Sequence, residues 1–270
     1  MCIDYHIHTE HSWDGGGSIS EFCLKALELG IDELGFSEHI DLDPIDPGYG
    51  YHDFAKIDRV VLEAREIFQH ALTIKKGIEI TYQEEFHDRI EEFIRKWDYD
   101  YTMVGIHLTN GIFYTSGKRT EDYFRSEPDP NIAFSFYFDE LLRAVESGLI
   151  DIVAHMDVMK RHSIQVYGPF NPIDYAGRFE RILGAIVERD CALEINSGDF
   201  ANRGKGDIYP SDWILNRFHE MGGQKVTFGS DAHKLSALGG GYEIALNAAK
   251  RSGFEGWTIY TKRKSQMVSF

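Results

Sequence analysis

Cysteine is scarce in this chain. Cys2, Cys23 and Cys191 are the three in 270 residues, widely spaced, odd in number and without a Cys-x-x-Cys pair. That argues against a disulfide framework and for a reducing compartment. Positive charge is scarce as well: 28 lysines and arginines face 44 aspartates and glutamates, a formal net charge of −16. A general nucleic-acid surface is basic, so nucleic acid is not the expected partner. No apolar run approaches the length of a membrane span, and the N-terminus opens on a strand pattern, unlike a signal peptide. No linker, low-complexity tract or composition break divides the chain. The expectation is an acidic cytoplasmic protein without a membrane partner.

What is present is a large apolar fraction, 43%, enough for one α/β barrel or two smaller domains. Cys2 to Ile7 reads as a short buried strand. Ser18-Ile19-Ser20-Glu21 is a capping box, and the helix it opens stops at Gly30. Strands are predicted over Glu33–Ser37, Thr73–Thr81, Tyr101–Ile106, Ile150–Ala154, Ala192–Ile195 and Lys225–Gly229. Helical spacing fills Ala55–Ala71, Phe86–Lys96, Phe134–Ser147, Ile173–Asp190, Ser211–Met221 and about Gly241–Ser252. Asp41 to Asp53 reads as a long loop suited to a lid or substrate contact, and Leu108 to Pro130 as loop. Trp257 to Phe270 has a β-prone start and a basic tail that the pattern does not place. Strand and helix alternate seven times, which implies parallel βαβ units and favours a distorted (β/α)7 barrel, a TIM-like fold, as one domain over residues 1–270.

The residues that carry chemistry recur at one place in this pattern. His6 and His8 sit two apart on an extended backbone, so they share a side. Asp14 follows a polar turn. His39 follows the second strand, Glu79 ends the third, His107 follows the fourth, His155 the fifth, and Asp231 with His233 the seventh. In a parallel barrel those strand ends converge on one face, where active sites are built. A lone His-x-His would carry little weight. His70, His87 and His219 lie on predicted helices and read as surface; His11 has the wrong spacing from His8; His52 is an ordinary loop histidine or a reach into the site.

Nine ligands exceed what one ion takes, since zinc sites use about three or four, so two or three divalent metals are expected. Three such cations would outweigh the ionised Asp14, Glu79 and Asp231 and attract a phosphate dianion. They would also lower the pKa of a bound water toward neutrality, giving a hydroxide nucleophile. Nitrogen and carboxylate donors without thiolate suit zinc, iron or manganese.

His6-Ile7-His8-Thr9, Ser12 to Asp14, Ser37-Glu38-His39, Gly77-Ile78-Glu79, Gly105-Ile106-His107, Ala154-His155-Met156-Asp157 and Ser230-Asp231-Ala232-His233 together resemble the motifs of the polymerase-and-histidinol-phosphatase (PHP) superfamily. Length, the Tyr before His6 and the Arg-bearing loops are similar to its histidinol-phosphate phosphatase branch. The resemblance implies a trinuclear centre. His6, His8, Glu79 and Asp231 would hold one ion, Glu79 would bridge to a second held by His107 and His155, and Asp14, His39 and His233 would hold the third. By the same resemblance Asp14, His39, Glu79 and Asp231 belong to the catalytic set, and Arg161 and Arg203 match phosphate-clamping arginines, a task for which a planar guanidinium fork suits. Lys160, Lys205 and Lys234 are weaker candidates, read as rim charges, and Asp157 is a candidate to orient a ligand or Arg161. Two departures concern substrate contacts: Leu108-Thr109-Asn110 stands where an aromatic usually follows, and Ser197 lacks a preceding threonine.

The leading expectation is therefore a metal-dependent phosphoric monoester hydrolase on a small phosphorylated metabolite, with L-histidinol phosphate as one substrate. A phosphodiesterase or exonuclease of the same superfamily, and a non-catalytic metal-binding protein, are the alternatives.

Overall fold

The computed structural model describes residues 1–204 and 206–270. Strands β1 (Ile3–Asp4), β2 (Glu33–Ile40), β3 (Thr73–Thr81), β4 (Tyr101–Gly105), β5 (Ile152–Val153), β6 (Ala192–Asn196) and β7 (Val226–Gly229) pair in chain order. Every pairing is parallel. The sheet turns back on itself. Tyr5 N donates to Phe228 O at 2.9 Å, Ala232 N to His6 O at 3.2 Å and His8 N to Ala232 O at 2.9 Å, so the first strand meets the last. The result is the expected seven-stranded, nearly closed barrel, with its helices in the crossovers outside.

Side-chain alternation sorts each strand into an inward and an outward row. On β2, Leu34 and Phe36 pack outward on Ile19 and Phe22 of helix Ile19–Leu29 and on Ile57 and Val61 of helix Phe54–Phe68. The inward row is stacked along the barrel axis. At the closed end Lys75 Nζ donates to Thr261 Oγ1 at 2.7 Å, and the Tyr5 hydroxyl donates to Glu33. In the middle the Tyr101 ring fills the barrel, donating to Tyr5 O at 2.7 Å and lying 2.8 Å from Ser37 Oγ. Gly35 and Gly77 make room for it: a Cβ on either would come within 2.2 Å of the Tyr101 ring or hydroxyl. At the open end are Glu79 and the histidines.

The capping box holds. Glu21 N donates to Ser18 Oγ, Ser18 N donates back to Glu21 Oε2, and Gly30 closes the helix with φ of 70°. Four stretches differ from the sequence expectation or were not placed by it. Leu108 to Pro130 is not a plain loop: Leu108–Thr109 pairs with Ile112–Phe113, and Lys118–Ser126 is helical. That helix buries only Thr120 and Phe124 and has no side-chain cap, so its apolar signal was faint. Helices Lys160–Tyr167 and Gly198–Arg203 are additional and short. Trp257 to Phe270 forms an antiparallel hairpin, β8 (Gly256–Thr261) with β9 (Lys264–Ser269), turned at Lys262 and Arg263 with φ of 51° and 61°. It plugs the closed end: Tyr260 N donates to the Tyr5 hydroxyl at 2.9 Å, and Arg263 Nε to Asp151 Oδ2 at 2.8 Å. Among the described residues no helix is long and apolar enough to cross a membrane.

Candidate metal centre

Glu79 lies at the end of β3 with 1% of its surface exposed, and its two oxygens address different partners. Oε2 is 3.2 Å from His6 Nε2, 3.4 Å from His8 Nε2 and 3.2 Å from His39 Nδ1. Oε1 is 2.8 Å from His155 Nε2 and 3.2 Å from His107 Nε2. Asp231 Oδ1 stands 3.7 Å from His6 Nε2 and 3.4 Å from His8 Nε2. Nearer solvent, Asp14 reaches His39 Nε2 at 3.6 Å and His233 Nε2 at 3.3 Å. The eight side chains expected from the strand ends and Asp14 therefore come together.

The spacing is that of metal ligands. Donors about 2.1 Å from a tetrahedral ion stand ~3.4 Å apart, which is the range seen here. Ligand atoms converge in four groups: His6, His8 and Asp231; His6, Glu79 and His155; His39, Glu79 and His107; and His8, His39 and His233. An independent sign agrees. His6 Nε2, His8 Nε2 and His39 Nδ1 are buried without a hydrogen-bond partner, although an orphaned buried nitrogen is costly. Divalent cations would satisfy all three, so the donor set fits metal.

The electrostatics have the same cause. Burial, with repulsion from His39 and His233, pushes His8 down to about 3. Burial also lowers His39 to about 4, although Glu79 and Asp14 oppose it. At His107 burial works against charge, but Glu79, Asp41 and Asp46 outweigh it and raise the ring to about 9. His233 likewise rises to about 9 against burial, through Asp14 and Asp231. Burial would raise Glu79, yet the facing histidines hold its carboxyl well below the usual range. The protons favoured on His107 and His233 occupy positions cations would take.

Outer partners fix the rings, and the sequence reading had no role for them. Glu194, fully buried on β6, places Oε1 2.6 Å from His6 Nδ1. Ser12 Oγ is 3.2 Å from His8 Nδ1 and donates to Glu38 Oε2 at 2.6 Å. Thr81 Oγ1 lies 3.0 Å from His107 Nδ1 and donates to Asp41 Oδ1 at 2.6 Å. Such contacts set the tautomer and aim the opposite nitrogen. Acids within otherwise apolar strands were the available signal for Glu38 and Glu194.

The other candidates separate. Arg161 lines the cleft; its Nε lies 3.3 Å from the Tyr209 hydroxyl and 3.1 Å from Asp199 Oδ1. Arg203 is 53% exposed, 3.9 Å from the Asp199 Oδ1 that Arg161 also meets, and off the lining. Lys160 is no rim charge. It is buried and donates to Asp157 Oδ2, Ile208 O and Ser211 Oγ, because the acid inside the fold needs a counter-charge. Asp157 accordingly holds Lys160 and Ser211, and touches neither a ligand histidine nor Arg161. Lys234 is exposed on Asn202 O, and Lys205 lies outside the described residues. His52 turns Nδ1 to the His39 carbonyl at 2.8 Å, supporting the site's wall. His70 and His219 are at the surface, while His87 is half-buried with Nδ1 3.1 Å from the Tyr82 hydroxyl. His11 is buried outside the ligand groups.

Comparison with known proteins agrees with this geometry. A protein of Clostridium acetobutylicum named probable histidinol-phosphatase is 29% identical over 252 residues, covering 93% of each chain. A histidinol-phosphatase of Lactococcus lactis is 26% identical over 281 residues, covering 97% of this chain and 95% of that one. The crystal structure of histidinol phosphate phosphatase from Lactococcus lactis, complexed with zinc, L-histidinol and phosphate, superposes with a TM-score of 0.81 at 23% identity over 98% of both chains. The model of the PHP domain matches residues 4–198, from the first ligand strand through the sixth. With more than two-thirds of its length inside that match, this chain belongs to the PHP domain family.

Proposed function

We propose that this chain is a metal-dependent phosphoric monoester hydrolase that converts L-histidinol phosphate to L-histidinol, acting in the cytoplasm as a single unit over residues 1–270. The observation that carries the reading is the divided carboxylate of Glu79, with His6, His8 and His39 on one oxygen and His107 and His155 on the other. One acid shared between imidazole sets suits two adjacent cations. The histidinol-phosphatase names of the full-length relatives supply the substrate. His6, His8, Glu79 and Asp231 would hold one ion, Glu79, His107 and His155 a second, and Asp14, His39 and His233 a third, with zinc, iron or manganese suiting these donors.

Bound there, the cations supply Lewis acidity and an activated water. The protein's own groups do the rest. Glu194 keeps His6 oriented, and Ser12 with Glu38 does so for His8. Arg161, its Nε engaged by Tyr209 and Asp199, has its terminal nitrogens left for phosphate oxygens. Arg203, which shares Asp199 with Arg161, adds positive charge nearby. Trp13, Phe113 and Val158 line the cleft and limit water.

Metal analysis with a screen of phosphorylated metabolites tests this. The expected result is two or three metals per chain and turnover of L-histidinol phosphate, abolished in His8→Ala and Asp231→Ala. Metal-replete protein that cleaves only a diester chromogen would mean a phosphodiesterase, and one without turnover a metal-binding protein.

A further inference from the structure

The ladder between β6 and β7 stops one rung short of the metal centre, and a side chain completes it. The two strands run parallel with Asn196 beside Gly229. Leu193 N donates to Lys225 O and Ser197 N to Gly229 O, each at 2.9 Å. Parallel pairing advances two residues per rung, so residue 199 would come next, donating to Asp231 O and accepting from His233 N. The chain after β6 does not supply that rung, because it turns into helix Gly198–Arg203. Asn202 stands there instead. Its Nδ2 donates to Asp231 O at 2.8 Å and to Gly198 O at 3.0 Å, and its Oδ1 accepts from His233 N at 3.4 Å. Two carbonyls at one end and an N–H at the other settle which way the amide points.

The two backbone groups it meets have little else to hold them. Ala232 is bonded to the first strand through both its N–H and its carbonyl, so Asp231 O and His233 N face the opposite side. Among the described residues, Asp231 O otherwise accepts only from His233 Nδ1 at 2.8 Å, and His233 N has no other acceptor. Asp231 also has φ of 52°, a conformation that a residue other than glycine keeps only where its surroundings impose it. The helix lies against the ligand itself: a Cβ on Gly198 would come within 2.8 Å of Asp231 Oδ2.

We propose that Asn202 is a positioning residue for the metal centre, its amide replacing the missing rung and holding Asp231 and His233 where both can ligate. A carboxylate at this place accepts but does not donate, and a methyl does neither. The inference rests on the metal-binding reading above and extends it to a residue outside the ligand groups. It also gives the short helix two tasks. Asp199 meets Arg161 at 3.1 Å on the phosphate side, and Asn202, three residues on, holds the metal side.

The test strips wild-type protein, Asn202→Ala and Asn202→Asp of metal and titrates each with zinc against a chromophoric chelator. The ions that use Asp231 and His233 are expected to weaken by ~10-fold or more in both variants. The ion of Glu79, His107 and His155 should keep its wild-type affinity. Affinities within about twofold of wild type throughout overturn the proposal. So does an equal weakening of every ion together with a lower melting midpoint of the metal-free protein, which would make Asn202 a general structural residue. If Asn202→Ala does not fold, the isosteric Asn202→Asp decides, and failure of both to fold again overturns it. Turnover does not enter this measurement. Wild-type protein that binds zinc without hydrolysing a phosphomonoester removes the phosphatase reading and leaves Asn202 to be decided by affinity, whereas wild-type protein that binds no zinc removes both.

Discussion

Glu194 Oε1 lies 2.6 Å from His6 Nδ1, and the other oxygen of the same carboxylate accepts the backbone N–H of His155 at 2.8 Å. One buried acid on β6 thus fixes a ligand ring just after β1 and the backbone of a second ligand after β5. His155 has φ of 25°, an uncommon conformation for a residue other than glycine, and this hydrogen bond helps hold it. Glu194→Gln keeps the shape but turns a charged acceptor into an amide. Metal affinity is expected to fall by roughly 10- to 100-fold with the fold intact, as read by chelator competition alongside circular dichroism. Unchanged affinity would show that His6 is oriented without it.

Removing the charge of Glu79 should be more severe than removing any single histidine. Glu79→Gln leaves one oxygen for five imidazoles and deletes the only acid common to two ligand groups. The expected outcome is loss of at least one metal per chain and a fall in kcat of at least ~100-fold. Metal-to-protein ratios and single-substrate kinetics check it.

Arg161 should resist conservative replacement. Its Nε is engaged by Tyr209 and Asp199 while the terminal nitrogens remain for substrate; an ammonium cannot do both. Arg161→Lys is expected to lose ~10- to 100-fold in kcat/KM, approaching Arg161→Ala. Arg203→Ala, at an exposed position 3.9 Å from Asp199, should lose much less. Equal losses would place Arg203 on the phosphate.

Proton and metal compete for the same nitrogens. His107 and His233 are raised to about 9 by facing carboxylates, against the effect of burial. In metal-free protein their charged pairs stabilise the fold fully below the unfolded value near 6.5 and cease to do so as pH rises through about 9. Metal needs the neutral rings, so affinity should rise over that window. Thermal melts at pH 6.5 and 9.5 check both signs: the metal-free midpoint should drop while the increment from added metal grows.

The barrel interior gives a prediction separate from chemistry. Gly35→Ala or Gly77→Ala would drive a Cβ into Tyr101, which nothing around the ring can yield to. Each should destabilise by about 1–3 kcal/mol, roughly 2–10 °C in midpoint, with metal content retained at temperatures below the melt.

Much of this protein is legible in one dimension because its period is regular. Parallel strands buried on both faces read as short apolar runs, helices as spaced apolar residues between them, and a barrel sends every strand end to one rim. For that reason His6, His8, Asp14, His39, Glu79, His107, His155, Asp231 and His233 could be gathered from the pattern without coordinates, and the sharp bounds of Thr73–Thr81 agree with the expectation. Helices Lys118–Ser126 and Gly198–Arg203 escaped because they bury too few apolar residues to show a period.

The amino-acid order alone determined the alternation, the strand-end histidines and carboxylates, and the family. Only the folded chain decided how the site's acids divide their work: Glu79 between two sets of rings, Glu194 behind His6, Asp41 on Thr81 beside His107, and Asp157 on Lys160 and away from the site. The physical reason is that hydrophobic patterning sets which face a residue takes, whereas a carboxylate's role depends on which donor from a distant strand arrives within hydrogen-bonding distance, and barrel closure sets those meetings.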